Sequence, residues 1–458
     1  MASSHLNKTF GAQTTAGRKT WTFSAWVRKA KMVTSMNIIW SDAGSSNYER
    51  YMFDNSDKIY MAGVASGSTA WEMTTTRVFR DPAAWYHIVI VRDTTQGTAA
   101  DRLKLYVNGV QETSFSTNTP PAQNYEGYIN STNEMRIGKG NTAEYFDGQM
   151  AHINFVDSAA LTPANFGETD ATTGIWKPKP SPTGVTYGTN GFFLKMDNSA
   201  NMGLDSSGEG NNWTVNGTIL QVKDTPSNIF STINAIDQHY FWGTDNNNNM
   251  SNFNTTVQTG NSQYANVTST LGVSKGKYYW EVKPFYKNGG NDSELMIGVT
   301  STYAQSAGYT LGYFPNDVAY RGSGVKQINN ATTSYGNSYA IDDIIGVAMD
   351  LDNNKLYFSK NGVFQNSGVP TSGSTGTGAI PLTDPASTEY GVYFPSITFT
   401  NGSYHAKFHL NMGLGFFGTT AVSSPADVPD DGIGAFEYDV PAGYRALCTK
   451  SINEEEYS

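Results

Sequence analysis

The sequence predicts an all-β protein built as two antiparallel β-sandwich (jelly-roll) domains in tandem, with a short C-terminal extension. Three observations predict it. Apolar residues recur with a period of two in many short runs, the period of a half-buried strand. One hairpin device occurs twice, as LKLYVNG at 103–109 and KLYFSKNG at 355–362. Aromatic residues reach 13% and Gly 46 residues while charged residues are only 15%, a mixture that suits short strands joined by many turns. That aromatic content also excludes a disordered chain.

In the first domain, residues 21–28 (WTFSAWVR) alternate, with Trp21, Phe23, Ala25 and Val27 on one face. Residues 38–40, 51–53 and 58–62 read as short strands between Gly, Ser and Asn turns. The runs 85–93 (WYHIVIVRD) and 103–107 form the first hairpin, and 135–138 and 148–156 continue the sheet pattern. Met150, His152, Asn154 and Val156 fall on alternate positions there. Thr162-Pro163 before ANFG predicts one helical turn, with Thr162 as N-cap, Pro163 as first helical residue and Gly167 as the stop. Three prolines at 178, 180 and 182 force an extended path and suggest a boundary.

A connecting segment follows, with strands at 191–196 and near 213–222. The asparagine-rich run 245–254 reads as a loop. In the second domain the strand candidates are 264–267, 277–282, 295–300, 340–341, 346–351, 355–359, 391–396 and 405–410. The central hairpin is IIGVAMDLDNNKLYFSKNGVF (344–364), in which Val347, Met349, Leu351, Leu356 and Phe358 form one apolar row. Asn361-Gly362 is the dipeptide that a tight two-residue turn favours. The predicted partition is 1–180, 181–250, 251–413 and a tail at 414–458. In the tail, 436–440 reads as strand-like and Glu454-Glu455-Glu456 as a solvated end.

The net charge is −10, and no basic cluster of the size needed to track phosphates is present. Nucleic acid and anionic membrane surfaces are therefore excluded as partners. A single cysteine, Cys448, leaves no internal disulfide. No apolar leader or transmembrane run occurs, which predicts a protein made in the cytoplasm without a signal peptide and never inserted in a membrane.

Two sets of residues carry a family resemblance. The aromatic strand 21–28, the strand WYHIVIVRD and the hairpin LKLYVNG resemble the laminin-G-like, concanavalin A-like jelly roll. GKYYWEV (276–282), MIGV (296–299) and the central hairpin are similar to the SPRY domain. FDGQMAHINFVDSAALTPANFGETDATTGIWKPK (146–179) and VPAGYRALCTK (440–450) resemble tail and fibre-type structural proteins of bacteriophages. The combination implies a phage virion surface protein, either a tail-fibre or tail-associated adhesin or a head decoration. Such a protein would be a homo-oligomer that contacts other virion proteins or host-surface polysaccharide through sandwich-end loops. Two alternatives belong to other classes: a polysaccharide-degrading glycosidase on a concanavalin-like fold, and a purely architectural capsid cement.

No complete reactive centre is legible. Glu168-Thr169-Asp170 begins the E-x-D-x-x-E strand of concanavalin-like glycosidases, but Thr173 stands where the third acid belongs. His405 and His409 share a strand face without a third metal ligand. Asp350-x-Asp352-x-Asn354 mimics a calcium loop yet lacks its sixth-position glycine and twelfth-position acid. A calcium site around Asp54 and Asp57 stays open, and no other cofactor is implied. The predicted ligand-binding residues are rings and a cation in polar, Gly-rich stretches: Trp71 in GSTAWEMTTT, and Tyr309, Tyr313, Tyr320 and Arg321. Rings can dock the C–H faces of sugars, while Arg, Asn and Asp pair with hydroxyls; the same rings equally suit cores and subunit interfaces.

Overall fold

The computed structural model describes residues 4–11, 14–141, 143–171, 174–235, 250–260, 265–302, 309–400, 403–423 and 427–456. Two compact units divide the chain, Met1–Gln221 and Val222–Ser458. Thr173, His239, Tyr264 and the 245–249 part of the asparagine-rich run lie outside the described residues.

The first unit holds two large antiparallel sheets and a two-stranded one that pairs Gly167–Thr169 with Trp176–Pro178. Eight strands run in the order Phe115–Thr119, Ser68–Thr75, Ile59–Ala65, Tyr48–Phe53, Met36–Asp42, Glu134–Ile137, His5–Thr9, Thr214–Asn216. Six run Phe192–Leu194, Gly148–Asp157, Thr20–Lys29, Trp85–Asp93, Leu103–Val107, Val110–Gln111. Between them sits a core that includes Trp21, Phe23, Ala25 and Val27, the row the alternation predicts. Thr22, Ser24, Trp26 and Arg28 are buried as well. They are covered from outside: Leu161 donates to Thr22 Oγ1, Arg28 donates to the Pro82 carbonyl, and His87, stacked on Trp26, accepts from Trp176. The strand Gly148–Asp157 carries a bulge between Ala151 and Asn154, with His152 at φ 48°, so the alternation expected through His152 breaks there.

The stretch 181–221 belongs to this unit rather than to a linker. Phe192–Leu194 extends the six-stranded sheet and Thr214–Asn216 pairs with His5–Thr9. Pairing outweighs the proline signal at 178–182. The predicted turn at Thr162 forms as a 3-10 helix, Pro163–Asn165, with Phe166 as its C-cap, and Gly167 opens a strand instead of ending the turn.

An ion pair joins the two layers. Arg92, on the six-stranded sheet, meets Glu49, on the eight-stranded sheet, at 2.5 and 3.0 Å. Glu49 also accepts from the Tyr128 and Ile129 backbone N–H groups. Both charges are fully buried, and the guanidinium lies over the Trp21, Trp71 and Tyr125 rings. Four donors on one carboxylate meet the requirement that a buried charge be paired and hydrogen-bonded.

The second unit repeats the two-layer plan. One sheet runs Met250–Ser251, Thr256–Gly260, His405–Asn411, Lys277–Lys287, Ile345–Asp350, Lys355–Lys360, Val363–Phe364, with Ile380–Pro381 and Arg445–Ala446 pairing at its side. The other runs Ala265–Thr268, Phe394–Phe399, Leu295–Thr300, Val318–Arg321, Val325–Ile328, Ala331–Ser334. The central hairpin forms with Val347 opposite Phe358 and Met349 opposite Leu356, and the predicted row of Val347, Met349, Leu351, Leu356 and Phe358 lies in the core. Asn361 and Gly362 both take positive φ, 47° and 81°. Residues 340–341, expected as a strand, lie in a loop, and the three strands between 318 and 334 were not legible as strands.

The tail folds back on its own unit. Tyr444, Ala446, Phe436 and Cys448 pack with Tyr279 and Tyr357 in a second apolar cluster. Phe436 makes an isolated bridge to Asp427 rather than a strand. The terminal acids are not simply solvated: they lie in the helix Thr449–Glu456, and Arg445 pairs with Glu454, Glu455 and Asp431.

Candidate functional site

The loop following Leu295–Thr300 and the strand Val318–Arg321 build a rim on the second unit. Alternation along that strand splits its last two residues. Tyr320 points inward and is fully buried against Tyr335, Tyr339 and Phe358, with its hydroxyl donating to the Asn337 carbonyl. Arg321 points outward. Its Nη1 donates to Gln327 Oε1 at 2.9 Å and its Nε to the Ser293 carbonyl at 3.3 Å. Gln327 in turn donates to Thr310 Oγ1 at 3.3 Å. This chain of polar contacts fixes the 309–317 loop, and Leu311 anchors it by packing on Met296 and Ala319.

That loop presents three rings. Tyr309, Tyr313 and Phe314 contact one another with centroids 4.3, 5.1 and 5.2 Å apart, the distances and tilts that aromatic pairs favour. All three are half-buried. At the loop's base Asp317 is buried and accepts from Thr300 Oγ1 at 2.7 Å; burial pushes its carboxyl up to about 6.

Beside Arg321 opens a shallow cleft of about 410 Å³, lined by Asn291, Asp292, Ser293, Ser338, Asp343 and Lys360 among others. Lys360 pairs with Asp343 at 3.1 Å and donates to the Ser338 carbonyl at 2.8 Å. Desolvation alone would raise the Asp343 carboxyl. The Ala340 N–H, Asn361 and Lys360 outweigh it and hold the group below the usual range, so it is an acceptor at neutral pH. The cleft therefore offers dense donors and acceptors, and Arg321, bonded to Ser293 on one side and to Gln327 on the other, links it to the loop that carries the rings.

Of the five predicted ligand residues, the structure brings Tyr309, Tyr313 and Arg321 to this rim. Tyr320 is a core residue beneath it. Trp71 is in the other unit, inside the strand Ser68–Thr75 with no exposed surface, its ring against Tyr51 and Arg92. The polar composition around it suggested a loop. The alternation Trp71, Met73, Thr75 against Glu72 and Thr74 was the signal for a strand, and it matches the burial. Phe314 and the cleft residues went unpredicted. Phe314 adjoins Tyr313, but the cleft is assembled from segments near 291, 322, 340 and 360 that share no local pattern.

Groups that resemble reactive centres are committed elsewhere. Ser24 Oγ lies 2.8 Å from His87 Nε2, the spacing of a nucleophile and its base. Trp176 Nε1, however, donates to His87 Nδ1 at 2.9 Å, so the proton sits on Nε2 and the imidazole donates to Ser24 rather than accepting from it. Burial also presses His87 down to about 3. Glu168 and Asp170 pair with Lys177. His409 stacks on Phe285 and bonds Thr256, while His405 leans toward Tyr286. Asp57 is buried on Lys29 and Arg80, and Asp54 caps the turn to Lys58. Asp350 accepts from both Asn353 nitrogens, as an ordinary turn does. Among the described residues no group of three His, Cys, Asp or Glu is placed to hold a metal, and no helix is long and apolar enough to cross a membrane.

Comparison with known proteins identifies both domains. Residues 6–166 match the concanavalin A-like lectin/glucanases superfamily, in its laminin-G-like form, and residues 277–383 match the SPRY domain. The ATP-dependent RNA helicase DDX1 of Xenopus laevis is 38% identical over 94 residues, 20% of this chain, and the match spans only 12% of that protein's length. Among solved structures, the SPRY domain of human HERC1 is 18% identical and covers 34% of this chain and 87% of its own, with a TM-score of 0.26. A putative carbohydrate binding protein from Bacteroides ovatus is 17% identical over 47% of this chain and 56% of its own, with a TM-score of 0.31. Domain 4 of a GH43 arabinanase from Geobacillus stearothermophilus, in complex with arabinotriose, is 17% identical over 32% and 63%, with a TM-score of 0.25.

Proposed function

We propose that the protein is a non-catalytic binding protein of a phage particle, which holds host-surface glycans or a neighbouring virion subunit through the rim of its SPRY domain. The observation that carries the reading is the half-exposed triangle of Tyr309, Tyr313 and Phe314, joined through the Thr310, Gln327 and Arg321 side chains to the edge of a cleft rich in hydrogen-bonding groups. Rings and paired polar groups together suit a ligand with apolar C–H faces and hydroxyl edges. The concanavalin A-like domain in the same chain supports a saccharide as that ligand. Support for the particle comes from the 146–179 and 440–450 stretches, which resemble phage structural proteins.

A glycan array probed with the purified full-length chain tests the reading. Binding is expected, and Tyr313→Ala and Arg321→Ala each lower it at least tenfold, Arg321→Ala with a lower melting temperature as well because it frees the 309–317 loop. Release of reducing sugar from a bound polysaccharide would overturn the non-catalytic assignment. Binding to assembled capsids alone, with no glycan retained, would replace the adhesin with a cement. Antibody labelling of virions by electron microscopy tests the location.

A further inference from the structure

The loop that carries the Tyr309, Tyr313 and Phe314 rings is closed at its base by a carboxyl cut off from water. Asp317 directly precedes the strand Val318–Arg321, and Thr300 ends the neighbouring strand Leu295–Thr300. Asp317 has no exposed surface. Its N–H donates to the Phe314 carbonyl at 3.1 Å and its Oδ1 accepts from Thr300 Oγ1 at 2.7 Å, so this residue ties the loop to the sheet. Thr302 and the Phe314 N–H lie near enough to favour the charged form. Neither completes a hydrogen bond, and Oδ2 is buried without a partner among the described residues.

The surrounding charges do not relieve that burial. Among the described residues no cation pairs with Asp317. The titratable groups that bear on it are Glu389 and Tyr393, from the segment that packs on Ser301 through Thr388. Glu389 repels a second negative charge, and the Tyr393 hydroxyl donates to the Thr383 carbonyl instead. A buried carboxylate with one oxygen unsatisfied costs more than the neutral acid in the same place. The loop has other ties to the sheet. Gln327 donates to Thr310 at 3.3 Å, the Asn329 N–H to the Phe314 carbonyl at 3.3 Å and the Asn330 N–H to the Gly312 carbonyl at 2.9 Å, and Leu311 packs beneath. These are single contacts, which a local opening can break without unfolding the sheet.

We infer that Asp317 makes the ring-bearing loop an acid-tightened clamp: the neutral carboxyl keeps residues 309–317 seated on the sheet, and the ionised one drives them toward an open state in which it meets water. The clamp governs the loop by itself; that it also tunes ligand capture rests on the rim reading above. Burial, with a smaller push from Glu389, outweighs the hydrogen-bonding groups and holds the seated carboxyl's proton up to about pH 6, against 3.8 for a hydrated one. Protonation therefore favours the seated state. The advantage is complete below pH 3.8 and is lost as pH rises through 6. Between pH 7.5 and pH 5 the ratio of seated to open loop rises about tenfold.

Hydrogen exchange in the full-length chain, with each rate divided by the intrinsic rate at its pH, tests the clamp. Protection of the 309–317 backbone is expected to be about tenfold higher at pH 5 than at pH 7.5. Asp317→Asn keeps the shape and stays neutral, so the step should vanish. Glu389→Gln, at an exposed position, should move the midpoint of the step to lower pH, and it decides the matter if Asp317→Asn melts early. Glycan retention on the array should follow the same step. Equal protection at the two pH values would overturn the inference, as would a step unchanged in both variants. Protection that steps while no glycan is retained supports the clamp and counts against the rim reading. Glycan retained with no step in protection overturns the clamp and leaves that reading standing.

Discussion

Asn108 and Asn361 close the two hairpins in the same way, one in each unit. Each takes positive φ, followed by a glycine that does too. Each side-chain oxygen accepts from a backbone N–H on or beside the preceding strand, His87 for Asn108 and Ile344 for Asn361, both at 2.8 Å. Each glycine lies under a ring from further along the chain. A side chain at Gly109 would strike Trp176 at 2.9 Å, and one at Gly362 would strike Tyr438 at 2.7 Å. What differs is how the covering segment is locked. In the first unit Trp176 donates to a neutral, buried His87. In the second, buried Glu281 accepts from the backbone N–H groups of Glu437 and Tyr438, from Asn411 and from Tyr279. The turn is a local solution that two residues specify; the lock is a long-range one, and each unit found different chemistry for it.

The largest way to break the comparison is at the fully buried Arg92–Glu49 ion pair of the first unit. Arg92→Leu strands Glu49 in the core and is expected to cost about 3–5 kcal/mol in that unit. Chemical denaturation followed by hydrogen exchange should show the loss confined to peptides within 1–221.

Proton titration separates the two locks by sign. Burial raises the Glu281 carboxyl to about 7 against an unfolded value of 4.5, so the folded second unit keeps its proton longer. Its contribution is complete below pH 4.5 and is lost as pH rises toward 7. Burial, with a smaller push from His152, lowers His87 to about 3 against 6.5, so the first unit loses stability as pH falls below 6.5. Moving from pH 7.5 to 5, the His87 contribution should destabilise the first unit and the Glu281 contribution stabilise the second, each by about 2 kcal/mol; in the second unit Asp317 adds in the same sense and His409, pressed down to about 4 by burial, opposes it. Glu281→Gln should flatten only the second slope. Calorimetry at the two pH values reads both transitions; shifts in the same direction would refute the assignment.

The smallest effect sharpens the likeness instead. Asn108→Ala and Asn361→Ala each remove one acceptor from a backbone N–H and should cost about 1–2 kcal/mol, Asn361→Ala the more because it also removes a donor to Asp343. A larger loss at Asn108 in urea titrations would show that the two turns are not equivalent.

Hairpins and their turns were legible because strand period and Asn-Gly are carried by adjacent residues. The all-β architecture followed from those signals, and both domain types from the resemblance that the strand and hairpin motifs carry. The partition was not legible at 180, because the pairing of Thr214–Asn216 with His5–Thr9 joins residues more than 200 positions apart. At the candidate site, Tyr309, Tyr313 and Arg321 were readable as polar-loop rings and a cation. Trp71 and Tyr320 were misassigned because polar neighbours were weighted above their alternation. Lys360, Asp343 and Asn291 could not have been found, since no periodicity links positions that meet only through sheet topology.

The pairing of His5–Thr9 has a bearing on synthesis. One neighbour of that strand, Glu134–Ile137, emerges from the ribosome well over a hundred residues later, and the other, Thr214–Asn216, later still. At ordinary translation rates the earliest strand waits on the order of ten seconds or more for its second partner. A fragment ending at 180 would open that strand's ladder along one side and remove Phe192, Leu194 and Trp213 from the core, so its solubility is expected to fall below that of a fragment through Gln221.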